Sequence, residues 1–106
     1  MQKLDHIKGL LIDLEGVVYT GDHVVPGAIE AIHKLNKKFK IKYITNTTTT
    51  SRNSIFNKLK NLNLPLIKSD IFTPSVAVAD YLRINNINNI YLMANLNILP
   101  DSKDLF

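Results

Sequence analysis

The chain has 106 residues, 45% of them hydrophobic and 21% charged, with a formal net charge of +4; this balance describes one folded globular domain and excludes a disordered or fibrous chain. It contains no cysteine, which excludes disulfides, thiolate metal ligands and a thiol nucleophile. No segment approaches the roughly 20 consecutive apolar residues of a membrane span, and the opening Met1-Gln2-Lys3-Leu4-Asp5-His6 lacks the apolar core of a signal peptide; a cytoplasmic protein without membrane attachment is expected.

Residues 9–13, Gly-Leu-Leu-Ile-Asp, are a short apolar run ending in a carboxylate, followed by Glu15 and Gly16. Such a run reads as a buried strand of a parallel sheet, and the carboxyl ends of those strands are where ligands bind. An Asp at a strand end often only caps a turn through nearby backbone N–H groups. Glu15 shifts the balance toward function, because two like charges this close repel unless a cation or a phosphate-handling task accounts for them.

Pro26-Gly27-Ala28 opens a helix with proline at an early position, and Ala28, Ile29, Ala31, Ile32 and Leu35 make its apolar stripe. Lys34, Lys37 and Lys38 suit the negative end of its dipole. Residues 39–44 then alternate apolar and basic side chains and lead into Thr45-Asn46, the pattern of a second strand. A helical crossover makes the two strands parallel, which brings Thr45-Asn46 to the sheet edge that carries Asp13.

The tract Thr47-Thr48-Thr49-Thr50-Ser51 offers N-cap hydroxyls to a helix running to about Leu62, with Ile55, Phe56, Leu59 and Leu62 inward. The same hydroxyls and amides sit where an anion at a helix N-terminus would be held; plain capping accounts for Thr47 to Thr50 equally well. Ile71-Phe72 is a short strand end, and Thr73-Pro74 an N-cap with proline at the first helical position. A third helix to about Ile84 follows, with Ala77, Val78, Tyr81 and Leu82 on its stripe, then an Asn-rich loop over 85–89, a last strand over 90–93 and a tail over 95–106.

Residues 31–69 contain no Asp or Glu while holding Lys34, Lys37, Lys38, Lys40, Lys42, Arg52, Lys58, Lys60 and Lys68. Most of these solvate helix faces, though the stretch also favours an anionic partner and could steer a phosphorylated substrate. Neither an aromatic ladder nor a zinc-ligand spacing accompanies the charge, which argues against nucleic acid. His6, His23 and His33 form no metal-binding pattern and are expected at the surface or the core edge, with His23 in a flap over 19–24.

Together these motifs resemble the haloacid dehalogenase superfamily, in its class IIA branch of phosphatases with a large cap inserted after the second motif. Residues 9–17 are similar to the first motif, Val25-Pro26-Gly27-Ala28 to the branch's helix start, Tyr43-Ile44-Thr45-Asn46-Thr47 to the second motif and Asp70-Ile71-Phe72-Thr73 to the following turn. Leu99-Pro100-Asp101 matches the subgroup of phospholysine phosphohistidine inorganic pyrophosphate phosphatase and its hydrolase-domain relatives. The resemblance implies an α/β fold, part of a doubly wound, Rossmann-like parallel sheet. Residues 1–86 would belong to the hydrolase core and 87–106 to the start of the cap or a terminal strand and tail.

It also implies a Mg²⁺-dependent phosphatase acting through an aspartyl-phosphate. Asp13 would be the nucleophile and a metal ligand, Glu15 the acid/base with its backbone carbonyl on the metal, and Thr45, Asn46 and Thr47 the phosphate-binding residues. A hard cation offsets the repulsion between a carboxylate and phosphoryl oxygens, and fixed donors orient the group in flight. The substrate would be a small phosphomonoester, phosphoamide or pyrophosphate.

Two departures stand out. The superfamily's phosphatases usually have Asp, and the near subgroup often Ser, where this chain has Glu15; its carboxyl stands one methylene farther out. The third-motif Lys and the fourth-motif acidic pair are expected beyond residue 106, with Lys68, Asp101 and Asp104 read as surface loop residues. The alternatives are a non-catalytic interaction fragment that self-associates through an exposed sheet edge, or a receiver-type signalling module. The receiver reading lacks an Asp after Ile44, where Thr45-Asn46 stand.

Overall fold

The computed structural model describes residues 5–102; Asp104 lies outside them. Strand β1 (Gly9–Asp13) is followed by a two-stranded hairpin of β2 (Tyr19–Thr20) and β3 (His23–Val24), helix α1 (Ala28–Asn36), β4 (Lys40–Ile44), helix α2 (Arg52–Asn61), β5 (Ile71–Phe72) and helix α3 (Pro74–Ile84). The main sheet has the order β1-β4-β5. Both pairings are parallel, Asp13 facing Ile44 and Ile44 facing Phe72, as the strand-helix-strand pattern requires.

The core is built from one face of this sheet. Ile41 and Tyr43 of β4 are buried with Ile32 of α1, Ile55 and Leu59 of α2, Leu64, Leu66, Ile71, and with Leu14, Val18 and Tyr19 beyond β1, while Leu10 and Ile12 pack against them. The alternate residues of β1 are not covered: Leu11 is 70% exposed. The expectation of a buried strand is thus corrected, because among the described residues only one face of β1 has a packing layer. Helix α1 also begins two residues after the proline expected to open it. Gly27, at φ 83°, is its N-cap, a left-handed conformation that favours glycine, so Pro26 precedes the cap.

On the open face Lys42 donates to Asp70 across 2.9 Å, and the Asp70 carboxylate also accepts from the Ile67 amide at 3.0 Å. Partial burial pushes the Asp70 pKa up, but the Ile67 amide and the charges of Lys42 and Lys40 outweigh it and hold the pKa below the ordinary value. A carboxylate depressed in the folded state stabilises above its unfolded pKa, and that contribution disappears as pH falls through the folded one. With the Lys42 side chain 41% exposed, screening keeps the pair small. Asp70→Asn is expected to cost about 1 kcal/mol at neutral pH and progressively less below about pH 4, as urea unfolding at stepped pH would read.

Helix α3 has the expected cap: the Thr73 hydroxyl accepts from the Val76 amide and Pro74 opens the first turn. Its packed face differs from the expected stripe. Val76 and Ala79 are buried, whereas Val78 and Tyr81 are exposed. The expected strand over 90–93 is absent as well. Ile90 and Leu92 are half-buried between exposed Tyr91 and Met93, the alternation of a strand. They line a cavity of about 240 Å³ with Val78, Ala79 and Leu82 of α3 instead of joining the sheet, whose adjoining β5 offers a ladder of two residues.

A 3₁₀ segment, Leu96–Asp101, closes the described chain, and Asp101 is no free loop residue. Its carboxylate accepts from the Arg52 amide at 3.1 and 3.2 Å and from the Ser75 hydroxyl at 2.7 Å. It therefore satisfies an otherwise orphan N–H at the start of α2 while tying α2 to α3. Asp101→Ala is expected to cost about 2 kcal/mol, the upper end for a lost helix cap, read as a lowered urea midpoint at unchanged slope.

Candidate functional site

Asp13 ends β1 opposite Ile44, so Thr45 and Asn46 emerge beside it. The Thr45 amide continues the ladder to the Phe72 carbonyl at 3.2 Å. Asp13 is exposed, and its Oδ1 accepts from the Leu14 amide at 2.8 Å; the turn-capping role is real, and the second oxygen carries no such bond among the described residues. Below it the backbone turns tightly. The Leu14 carbonyl accepts from the amides of Val17, Val18 and Tyr19, and the Gly16 amide, on a residue with φ 84°, donates to the Tyr19 carbonyl at 2.7 Å. Leu14 and Val18, both 0% exposed, pin this turn into the core, which leaves Glu15, Gly16 and Val17 facing outward.

The flap expected over 19–24 is the β2–β3 hairpin, pairing Tyr19 with Val24 and Thr20 with His23. Glu15 Oε1 accepts from the Gly21 amide at its tip, 3.0 Å away. Tyr19 stands against the acid pair: burial, then the charges of Glu15 and Asp13, push its phenol pKa up, so it remains a hydroxyl at neutral pH.

Two clefts flank Thr45-Asn46. One, of about 350 Å³, is lined by Asp13, Thr45, Asn46, Phe72, Thr73 and Pro74. The other, of about 380 Å³, lies against α2 and is lined by Glu15, Tyr19, Thr45, Asn46, Thr47 and Lys58, among others. The structure thus gathers all five residues singled out by the sequence around Thr45-Asn46, with Asp13 on one side and Glu15 on the other. The Thr45 hydroxyl accepts from the Thr47 amide at 3.2 Å, which shapes the loop between them. Ser51, not a threonine, caps α2 by accepting from the Ser54 amide. His23 is exposed and lines neither cleft.

Among the described residues no group of three or more His, Cys, Asp or Glu could hold a metal ion. The donors present are of the kind Mg²⁺ takes: an exposed carboxylate on Asp13 and the Glu15 carbonyl, since the bonds closing the turn go to the Leu14 and Tyr19 carbonyls. Mg²⁺ commonly binds through one or two protein oxygens and keeps several waters, so these two fit part of such a site.

Lys58, one of a set of basic residues of which most are expected to solvate helix faces, reaches the cleft. Its ammonium donates to the Gly21 carbonyl at 2.7 Å and lies 3.7 Å from the centre of the Tyr19 ring. The available signal was spacing: Ser54 and Lys58, four apart on one helix, share a face with the threonine tract just before it.

A family profile described as haloacid dehalogenase-like hydrolase matches residues 10–104. The chain is 31% identical over 100 residues to human haloacid dehalogenase-like hydrolase domain-containing protein 2, a match covering 93% of this chain and 38% of that protein. It is 30% identical over 104 residues to the chloroplastic phosphoglycolate phosphatase 1A of Arabidopsis thaliana, covering 94% and 29% respectively. In fold it is similar to the p-nitrophenyl phosphatase from Archaeoglobus fulgidus, with a TM-score of 0.86 at 22% identity over 93% of this chain and 39% of that one. The chain therefore spans well under half the length of these proteins.

Proposed function

We propose, from the premise that this chain belongs to the haloacid dehalogenase-like hydrolase family, that it carries the phosphoryl-accepting part of a Mg²⁺-dependent phosphatase. The observation that carries this reading is the parallel pairing of β1 with β4, which brings Asp13 and Thr45-Asn46 to one cleft. In it the Asp13 carboxylate attacks the phosphorus of a small phosphorylated substrate, the bond to the leaving oxygen (or, in a phosphoamide, nitrogen) breaks, and an aspartyl-phosphate forms. Thr45, Asn46 and Thr47 orient the phosphoryl oxygens through hydroxyl, amide and backbone donors. Glu15, which lines the adjoining cleft across Thr45-Asn46 and is hydrogen-bonded to Gly21, would have to reach over that pair to handle the proton of the leaving group and then of water. Asp13 and the Glu15 carbonyl would hold Mg²⁺, which supplies charge neutralisation and alignment.

Residues 1–86 are read as part of the catalytic core and 87–106 as the approach to a cap. Phosphomonoesters, phosphoamides and pyrophosphate are all candidate substrates, and a cytoplasmic setting is part of the reading; no helix among the described residues is long and apolar enough to cross a membrane. The deciding experiment is hydrolysis of p-nitrophenyl phosphate by this chain in saturating Mg²⁺, beside Asp13→Asn; equal rates would overturn the reading.

A second reading, self-association, is supported by the place of β1 at the edge of the sheet among the described residues and by the uncovered sheet face that exposes Leu11. It predicts an apparent mass that rises with concentration in size-exclusion chromatography, and a strictly monomeric species across the range would sink it.

A further inference from the structure

The flap glycine is gripped from two elements. The Gly21 N–H donates to the Glu15 carboxylate at 3.0 Å, and the Gly21 carbonyl accepts from Lys58 Nζ at 2.7 Å. The same ammonium sits 3.7 Å from the centre of the Tyr19 ring, where a cation is attracted to the face of the π-system. Tyr19 is 7% exposed within the core, so the ring is a fixed platform. Lys58 precedes Leu59, which is 0% exposed, so the base of its side chain is equally fixed.

We propose that Lys58 is a positioning residue of the candidate active site, a clamp that holds the β2–β3 hairpin against α2 and so keeps the Glu15 carboxylate at the mouth of the Thr45–Thr47 cleft. The proposal rests on reading that cleft as phosphate-handling. Glu15 stands on an exposed turn, and its hydrogen bond is to the hairpin tip; its carboxylate is only as well placed as that tip. The hairpin has two residue pairs, and a two-stranded ribbon of that size does not hold itself in water. Its base is secured by Tyr19 in the core and by the Val25 amide, which donates to the Val18 carbonyl at 2.9 Å. The tip is secured by Glu15 and Lys58, and Lys58 alone of these comes from another element. A lysine fits the task because its long stem reaches from the helix while its head offers several donors: one for a carbonyl, the charge for a ring.

The test is amide hydrogen exchange by NMR on the full chain, for wild type, Lys58→Met and Lys58→Arg, with and without inorganic phosphate. Lys58→Met is expected to speed exchange at Gly21 about tenfold or more while the Tyr43 and Ile55 amides keep their protection, and Lys58→Arg to restore most of the Gly21 protection. The phosphate-induced shifts at the Thr45–Thr47 amides are expected to need severalfold more phosphate in Lys58→Met. Unchanged Gly21 exchange in Lys58→Met overturns the clamp, even with weaker phosphate binding, since that pattern makes Lys58 a direct anion ligand. Loss of protection throughout the core overturns it too, since that makes Lys58 a general support. If phosphate shifts nothing in the wild type, the phosphate-handling reading falls, and with it an active-site role for Lys58, whatever Gly21 does.

Discussion

On the proposed phosphatase reading, Asp13→Asn is expected to reduce phosphate-ester hydrolysis at least about a thousandfold, the scale of losing a covalent nucleophile, with no measurable change in stability. The substitution is informative because it separates the two roles of Asp13. An asparagine keeps the side-chain oxygen that accepts from the Leu14 amide at 2.8 Å, and Asn caps turns about as well as Asp. It removes the negative charge, the nucleophilic lone pairs and the hard oxygen that a divalent cation prefers. A capping residue would therefore survive the exchange with its function intact, whereas a phosphoryl acceptor would not. Progress curves for the two chains, run beside urea unfolding to show stabilities within about 0.5 kcal/mol, give both answers.

Leu14→Ala is expected to destabilise the fold by 3–4 kcal/mol, within the range measured for buried Leu-to-Ala changes. Leu14 is 0% exposed and occupies the position between the two carboxylates. Truncation removes buried apolar surface and leaves a cavity directly beneath the turn whose amides converge on the Leu14 carbonyl. Against a total stability of about 5–15 kcal/mol for a domain, such a loss is a large fraction. Val17→Ala in the same turn, at a side chain 49% exposed, should stay within about 0.5 kcal/mol. A drop in the urea midpoint at constant slope for Leu14→Ala, beside a small effect for Val17→Ala, is the expected pair; equal effects would mean the turn is not anchored through Leu14.

The parts of the fold that could be read in the sequence are those decided by local chemistry or by the geometry of a crossover. The parallel β1–β4 pairing follows from a helix between two short strands, and with it the meeting of Asp13 and Thr45. The cap on α3 follows from Thr73-Pro74, and that on α2 lies within the tract Thr47–Ser51, at its last residue. What could not be read depends on partners distant in sequence. Which face of α3 packs depended on residues 90–102 folding back over Ala79 and Leu82; the local stripe alone favoured Val78 and Tyr81. The 90–93 segment has the alternation of a strand, yet alternation does not supply an edge to pair with. Within the site, the contact between Glu15 and Gly21 spans a turn whose shape is set by Gly16, and the reach of Lys58 to Gly21 crosses 37 positions. The identities of the residues at the sheet edge were therefore legible, while the arrangement that sets Asp13 and Glu15 on opposite sides of Thr45-Asn46 was not.

The bonds from Asp101 to the Arg52 amide join positions 49 apart, and this has a consequence for the order in which the chain folds. The β1-α1-β4 unit closes over short separations and can assemble early, since short loops cost less entropy to close. Helix α2 has its local cap in Ser51, and the Arg52 amide gains its partner only when the segment at 96–101 returns to it. The threonine wall of the clefts, which leads into that first turn, is thus anchored in part by a segment 49 positions later in the chain.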